Sequence, residues 1–346
     1  MMILVTGATG FIGRALVRQL SEAGYPVRVL IRPSRRTPRL PVGVPMEVAV
    51  SSLADVRGLR AVLRDVEVIF HLASAESQGS RANLFATDIE GTRNLATAAA
   101  DAGIQRLIYL SHLDANRASA FPAFKAKGIA EEHIRRSGVP FTIIRSSVVF
   151  GPEDHFTTVL ADLLRAAPGI FPIPGNGQTL LQPIWVEDLV ACLLWSLDHP
   201  DAENHTFEVG GSEYLSVREI LETLMAVIHT RRYLLSLSPV TLRALVIFLE
   251  STLPHFPVSS LWMDYIAVNR TCPADSATRA FGLMPARFAY RLGYLARPPW
   301  KTRLRTSLST FRTWLSGEHK QPNPLLRSFQ PGQPAAPEKN LPDRAR

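Results

Sequence analysis

Residues 2–13 read MILVTGATGFIG: a short apolar run, Ile3-Leu4-Val5, passes into three glycines and then into a helical pattern. That succession of strand, glycine loop and helix is a cradle for a diphosphate, and it decides the fold of the chain downstream. Gly7 permits the tight turn out of the strand, and Gly10 lets the backbone approach an anion. Gly13 lets the helix lie against the strand with no side chain between them. The first amides of the helix then face the anion, where the partial positive charge of a helix end favours it. A lone glycine motif carries little; here Ile12, Ala15, Leu16 and Leu20, three to four apart, give it the amphipathic helix it requires.

Outward from that loop, apolar β-branched runs recur at 27–31, 46–50, 66–72, 106–110 and 141–145, with helical patterns at 11–23, 53–64, 85–102 and 123–137. Near-continuous apolar strands alternating with helices predict an α/β fold, a doubly wound parallel sheet of Rossmann type covered on both faces, over residues 1–150. Gly24, Gly103 and Gly138 each follow a helical pattern, where a left-handed cap is wanted. Beyond Gly151 the pattern loosens into a Pro/Gly loop at 168–177 and then QPIWVEDLVACLLWSL, a short strand entering a helix. Residues 151–296 are expected to form a smaller lid and substrate region interleaved with the last strands of the sheet. Residues 234–253 are apolar but interrupted by Pro239, Arg243 and Glu250, short of the roughly 20 apolar residues of a membrane span. They predict a buried helix over a pocket.

The chain has 346 residues, 46% apolar and 20% charged, as in ordinary globular proteins. Two cysteines, Cys192 and Cys272, provide neither a disulfide framework nor a metal cluster, and the opening apolar run is too short for a secretory leader. A cytoplasmic protein without a metal site is expected. The net charge of +8 is unevenly placed: residues 297–346 hold ten Lys/Arg against three Asp/Glu, leaving +1 for residues 1–296. The basic character therefore belongs to a tail, and nucleic acid is not an expected partner. Residues 297–320 form a basic amphipathic segment. Within it, KTRLRTSLSTFRTWL (301–315) sets Leu304, Leu308, Phe311 and Leu315 on one helical face, suited to an anionic membrane surface, a partner or the protein's own lid. Residues 321–346, rich in proline, are expected to be disordered.

An NAD-binding version of this fold ends its second strand with an acidic residue for the adenosine ribose. Here strand 27–31 is followed by Arg32, Pro33, Ser34, Arg35 and Arg36. Guanidinium groups hold a 2′-phosphate with paired, charge-assisted hydrogen bonds, so NADP(H) is expected over the alternative, NAD(H), with Arg32, Arg35 and Arg36 as the contacts.

The stretches TGATGFIG (6–13), VIFHLAS (68–74), GTRNLATAA (91–99), LIYLSH (107–112), KGIAEEHIRRSGVPFTIIRSSVVFGP (127–152) and PIPGNGQTLLQPIWVEDLV (172–190) stand in a telling order. In that order the chain resembles the extended short-chain dehydrogenase/reductases, the NAD-dependent epimerase/dehydratase superfamily. More narrowly it resembles the atypical branch with NmrA-type proteins and the nucleotide-binding accessory subunit of respiratory complex I. The resemblance covers roughly residues 2–295. It implies that Gly7, Thr9, Gly10, Phe11 and Ile12 line the diphosphate, that Leu72, Ala73 and Ser74 lie beside the adenosine ribose and diphosphate, and that Ser146, Ser147 and Val148 approach the nicotinamide. Ser52 and Leu53 stand where the family places an Asp-Leu pair at the adenine.

Active members of that family use a Tyr-x-x-x-Lys pair and an upstream serine. The tyrosine moves the substrate proton, the lysine lowers its pKa and bonds the nicotinamide ribose, and the serine orients the carbonyl. Lys127 matches the lysine and Ser111 the serine, but four residues before Lys127 stands Ala123, flanked by Phe121 and Phe124. None of these three transfers a proton. Histidine is the side chain suited to moving a proton near neutral pH, and His112 adjoins Ser111, whereas Asp114 is a poorer candidate. Two functions are compatible with these residues. One is an NADP(H)-dependent oxidoreductase on an unknown small carbonyl or hydroxyl compound with a non-standard proton donor. The other is a non-catalytic NADP(H)-binding redox sensor, assembly factor or complex subunit. The region 239–288 resembles the family's lid, with Phe256, Trp262 and Tyr265 as aromatics able to line a pocket.

Overall fold

In the computed structural model, which describes residues 1–34, 37–252 and 258–296, the apolar runs become parallel strands of one sheet. They are β1 (Met2–Thr6), β2 (Val27–Ile31), β3 (Glu47–Val50), β4 (Val66–His71), β5 (Arg106–His112) and β6 (Phe141–Ser146), joined by a seventh strand, His205–Val209. From edge to edge the order is His205–Val209, β6, β5, β4, β1, β2, β3. The crossovers are α1 (Phe11–Glu22), α2 (Val56–Val62), α3 (Gly91–Asp101) and α4 (Pro122–Arg135). The chain builds outward from β1 to β3, then returns to the far side of β1 with β4. The strand order reverses there, and the crevice at the C-terminal ends of β1 and β4 is where such sheets bind ligands.

Burial follows the pleat. Ile3 and Val5 face a core completed by Leu16, Leu20 and the helix Val186–Asp198, while Leu4 faces a second core with Leu59, Leu95 and Ile134. Each of these three β1 side chains is fully buried, worth about 1.5–3 kcal/mol relative to exposure. A third apolar cluster, with Phe150, Leu160, Ile220, Leu224 and Phe288, forms beyond residue 150. Residues 1–296 form one compact unit.

Two elements differ from the sequence expectation. The 85–102 pattern divides at Glu90/Gly91 into a π-helical turn, Phe85–Glu90, and α3, and the turn buries Asp88. The 234–253 stretch forms a strand, Tyr233–Leu237, and a helix, Pro239–Thr252, but that helix is not buried. Leu242 and Val246 pack inward, whereas Val240 and Phe248 are 80% and 61% exposed, because apolar residues circle the helix and only one face meets a core. Among the described residues no helix is long and apolar enough to cross a membrane. Arg35, Arg36, Phe256, the basic segment 297–320 and the tail 321–346 lie outside the described residues.

Candidate functional site

The glycine loop has the shape its composition implies. Gly7 adopts φ +75°, and a Cβ there would lie 2.7 Å from the Ala73 amide nitrogen and the Leu72 carbonyl carbon; one on Gly13 would lie 2.2 Å from the Gly7 oxygen. The Gly10 amide donates to the Gly7 oxygen at 2.9 Å. Gly10 also begins α1 without a side-chain cap, so the open amides at Phe11, Ile12 and Gly13 are left for an anion. The end of β4 closes the loop from beside it: the Leu72 amide donates to the Thr6 oxygen at 3.2 Å and the Ala73 amide to Thr6 Oγ1 at 3.3 Å. Arg14 straps the outside, bonding the Thr9 oxygen at 2.9 Å and pairing with Glu153 at 2.8 Å.

The other residues expected at the nucleotide have the following surroundings. Leu53 packs beneath α3, within 3.0 Å of where a Gly91 Cβ would stand. The Ser52 hydroxyl accepts from the Ala54 amide at 3.2 Å, and Ser74 accepts from the Glu76 amide at 3.3 Å. Arg32 is exposed just past β2. Ser146 and Ser147 are buried, and the Ser147 hydroxyl donates to the Gln182 carbonyl. The Val148 carbonyl accepts from the Ile184 amide at 3.0 Å.

Along the C-terminal edge of β4 and β5 lies a cluster of ionisable groups. Lys127, on α4 and 3% exposed, sets its Nζ 3.5 Å from Asp88 Oδ1 and 3.4 Å from the Leu110 carbonyl, above the Tyr109 ring at 5.1 Å. Burial works to lower the Lys127 pKa; the facing Tyr109, Asp88 and Glu76 outweigh it and hold it above the ordinary lysine value. Asp88 is 1% exposed and its Oδ2 accepts from the Ala75 amide at 3.0 Å, while Oδ1 has no hydrogen-bond donor among the described residues. Burial raises its pKa, Glu76 adds to that, and Lys127 opposes it.

Next to this pair stands His112. Its Nε2 lies 2.9 and 3.1 Å from the two Glu76 oxygens and 2.7 Å from the Tyr265 hydroxyl, and that hydroxyl also donates to Glu76. Burial tends to raise the Glu76 pKa, but His112, Lys127 and Tyr265 hold it well below the carboxylate range. Burial and the Glu76 charge push the Tyr265 phenol up. Neighbouring β5 residues point to opposite sides: Ser111 turns away from this group and donates to Glu131 at 2.6 Å, where Arg135 and Arg145 also pair. Ala123 is fully buried. The adjacent Phe124 ring lies 5.2 Å from Tyr265 and carries the Arg270 guanidinium 3.4 Å above its centre.

Spacing along the chain did not point to Glu76, Asp88 or His71. The VIFHLAS stretch contains His71 but does not show that it is fully buried between Thr6 Oγ1 at 2.7 Å and Thr92 Oγ1 at 2.8 Å. Of the lid aromatics, Tyr265 reaches the cluster, whereas Trp262 bonds the His155 carbonyl at 3.1 Å and packs near Phe156. A surface cavity of about 500 Å³, lined by Arg218, Glu222, Arg232 and Leu234 among others, shares no residue with the glycine loop or the cluster.

Comparison with known proteins agrees with this architecture. Residues 7–159 match the NAD(P)H-binding family, and residues 124–210 the NAD dependent epimerase/dehydratase family. A putative dihydroflavonol 4-reductase of Synechocystis is 40% identical over 251 residues, 64% of this chain and 71% of its own. The chain belongs to the NAD-dependent epimerase/dehydratase superfamily. Another relative within it is the mitochondrial NADH dehydrogenase [ubiquinone] 1 alpha subcomplex subunit 9 of Arabidopsis thaliana, 30% identical over 234 residues, which are 65% of this chain and 57% of that one. The chain thus spans less than two thirds of that subunit's length. The UDP-glucose 4-epimerase of Thermotoga maritima, with a TM-score of 0.65 at 20% identity over 89% of this chain and 100% of its own, shares the fold. As in other superfamily members, the glycine-loop domain binds a nicotinamide nucleotide.

Proposed function

We propose that the chain is an NADP(H)-dependent oxidoreductase of a small carbonyl compound, drawing its proton from the cluster at the end of β5 in place of the tyrosine missing at position 123. The observation that carries this is the meeting of buried Lys127 and Asp88 with partly buried Glu76 and His112 at the C-terminal ends of β4 and β5. A protein that only stores a nucleotide has no need to gather four such groups, two of them buried at a cost in desolvation, at its nicotinamide end. Lys127 Nζ, between Asp88 Oδ1 and the Leu110 carbonyl, is the donor for the ribose hydroxyls, with Asp88 holding it in place. Gly7, Thr9, Gly10, Phe11, Ile12 and Gly13 hold the diphosphate. Ser52, Leu53, Leu72, Ala73 and Ser74 border the adenosine, and Ser146, Ser147 and Val148 the nicotinamide. Arg32, with Arg35 and Arg36, meets the 2′-phosphate. When bound, NADPH supplies a hydride.

The test pairs calorimetry with NADPH and NADH against NADPH consumption with a panel of aldehydes and ketones, repeated for Lys127→Ala and His112→Ala. Tighter NADPH binding and turnover lost in both variants are expected; tighter NADH binding would overturn the cofactor preference. Binding without turnover would favour the second reading, a non-catalytic NADP(H) sensor, assembly factor or complex subunit. Ala123 and the commitment of Ser111 to Glu131 speak for that reading, as does the respiratory-subunit relative.

A further inference from the structure

We infer that Tyr265, carried in by the short helix Ser260–Tyr265, is the phenol that protonates the substrate oxygen, with His112 relaying its replacement proton and Glu76 holding both. This deepens the oxidoreductase reading and rests on it. The family's acid is a phenol one helical turn before the lysine on α4; here that position is a buried methyl, and a phenol arrives from 142 residues further along the chain. Its ring lies 5.2 Å from that of Phe124, the next residue after Ala123, and 5.2 Å edge-on from the His112 ring. Its hydroxyl sits 2.7 Å from His112 Nε2 and donates to Glu76, itself within the field of Lys127.

The division of labour follows from the hydrogen bonds. An ionised carboxylate only accepts, so His112 Nε2, facing both Glu76 oxygens, carries a hydrogen. That nitrogen is engaged by Glu76 and by the phenol oxygen and has no direction left for a substrate. The phenol oxygen, accepting from Nε2, turns its own hydrogen from Glu76 to a carbonyl oxygen by rotation about one C–O bond. Two further contacts fix the helix that brings it: Arg243 pairs with Asp264, and buried Arg270 bonds the Asp264 and Tyr265 carbonyls at 2.9 and 3.3 Å.

In the step so assigned, the substrate carbonyl carbon accepts the hydride of the reduced nicotinamide and forms a C–H bond as the C–O π bond breaks. The phenol O–H bond breaks and its proton passes to the carbonyl oxygen, giving an alcohol. The carbonyl is reduced by two electrons and the nicotinamide is oxidised by two. The phenolate regains a proton from His112 Nε2, and hydronium of the solvent returns one proton to the imidazole. Each turnover thus consumes one NADPH, one carbonyl compound and one solvent proton and leaves His112 again protonated at Nε2.

Two measurements test the assignment. In the first, 4-nitrobenzaldehyde, cyclohexanone and diacetyl are offered with NADPH. Tyr265→Phe is expected to lower kcat on the best of them by about 10²-fold or more, with the NADPH dissociation constant changed less than about threefold. Glu76→Gln is the second variant: with the negative charge gone, the alkaline limb of the kcat–pH profile moves to lower pH. In the second measurement, needing no substrate, tyrosinate absorbance is titrated with and without NADP⁺. The cationic nicotinamide is expected to lower the titration of one tyrosine in the parent protein and of none in Tyr265→Phe. If Tyr265→Phe keeps turnover within about fivefold while His112→Ala loses it, or the NADP⁺-dependent titration survives in Tyr265→Phe, or the alkaline limb stays in place in Glu76→Gln, the assignment fails and the oxidoreductase reading stands. If the parent protein binds NADPH but reduces none of the three, both fall.

Discussion

His71 makes the stability of this protein depend on pH in a way that is worked out from its surroundings. The ring is fully buried, bonded at both nitrogens to Thr6 and Thr92, and stacked 5.4 Å from Tyr109. Burial first, and then the Lys127 charge, push its pKa from 6.5 down to about 3. Because the unfolded chain binds this proton more readily than the folded one, the contribution is fully present above pH 6.5 and is lost as pH falls toward 3. A displacement of that size corresponds to about 5 kcal/mol in full, and to about 2.5 kcal/mol lost between pH 7 and pH 4.5. His71→Gln keeps polar atoms near Thr6 and Thr92 but has no titration in this range. Urea unfolding of both proteins at pH 7 and pH 4.5 isolates the term, since every other group cancels in the comparison. The parent protein is expected to lose about 2.5 kcal/mol more than the variant. Equal losses within about 0.5 kcal/mol would refute the account of a neutral, desolvated imidazole.

Three further outcomes are expected from the geometry. Gly13→Ala forces a methyl to within 2.2 Å of the Gly7 oxygen, so it should cost about 1–3 kcal/mol in thermal or denaturant unfolding and weaken NADPH binding in calorimetry. Lys127→Met strands the Asp88 carboxylate and should cost about 3 kcal/mol, and Lys127→Met combined with Asp88→Asn should recover at least about 1 kcal/mol of it; additivity in urea unfolding would show that the two do not interact. Full-length protein should float with anionic liposomes more than a truncation ending at Pro299 if the basic stretch 301–315 meets membranes, and equal flotation would remove that role.

Much of the fold was legible because it is written in short-range patterns. Strands 27–31 and 106–110 and the helix after Gly10 were readable from apolar periodicity alone, and they appear within a residue or two. Gly24, Gly103 and Gly138 take positive φ just past α1, α3 and α4, as the cap pattern implied. The π-helical turn at Phe85–Glu90 was not legible, since the single extra residue in its turn leaves apolar spacing almost unchanged. The exposure of Pro239–Thr252 was also hidden, because a helix apolar on all sides does not tell which side is covered.

At the site, sequence by itself determined the anion cradle, which is set by residues close together in the chain where backbone sterics leave few arrangements. The expectation for the lysine on α4 and for the missing proton donor at position 123 came from the resemblance to the epimerase/dehydratase superfamily. Tertiary structure decided which charges face that lysine and which groups meet Glu76. Asp88 faces it, and not Glu131 one helical turn on, which went instead to Ser111, Arg135 and Arg145. Tyr265 meets Glu76 across 189 residues of chain. Such meetings depend on how one packed layer settles on another, and no periodicity in the intervening residues encodes them.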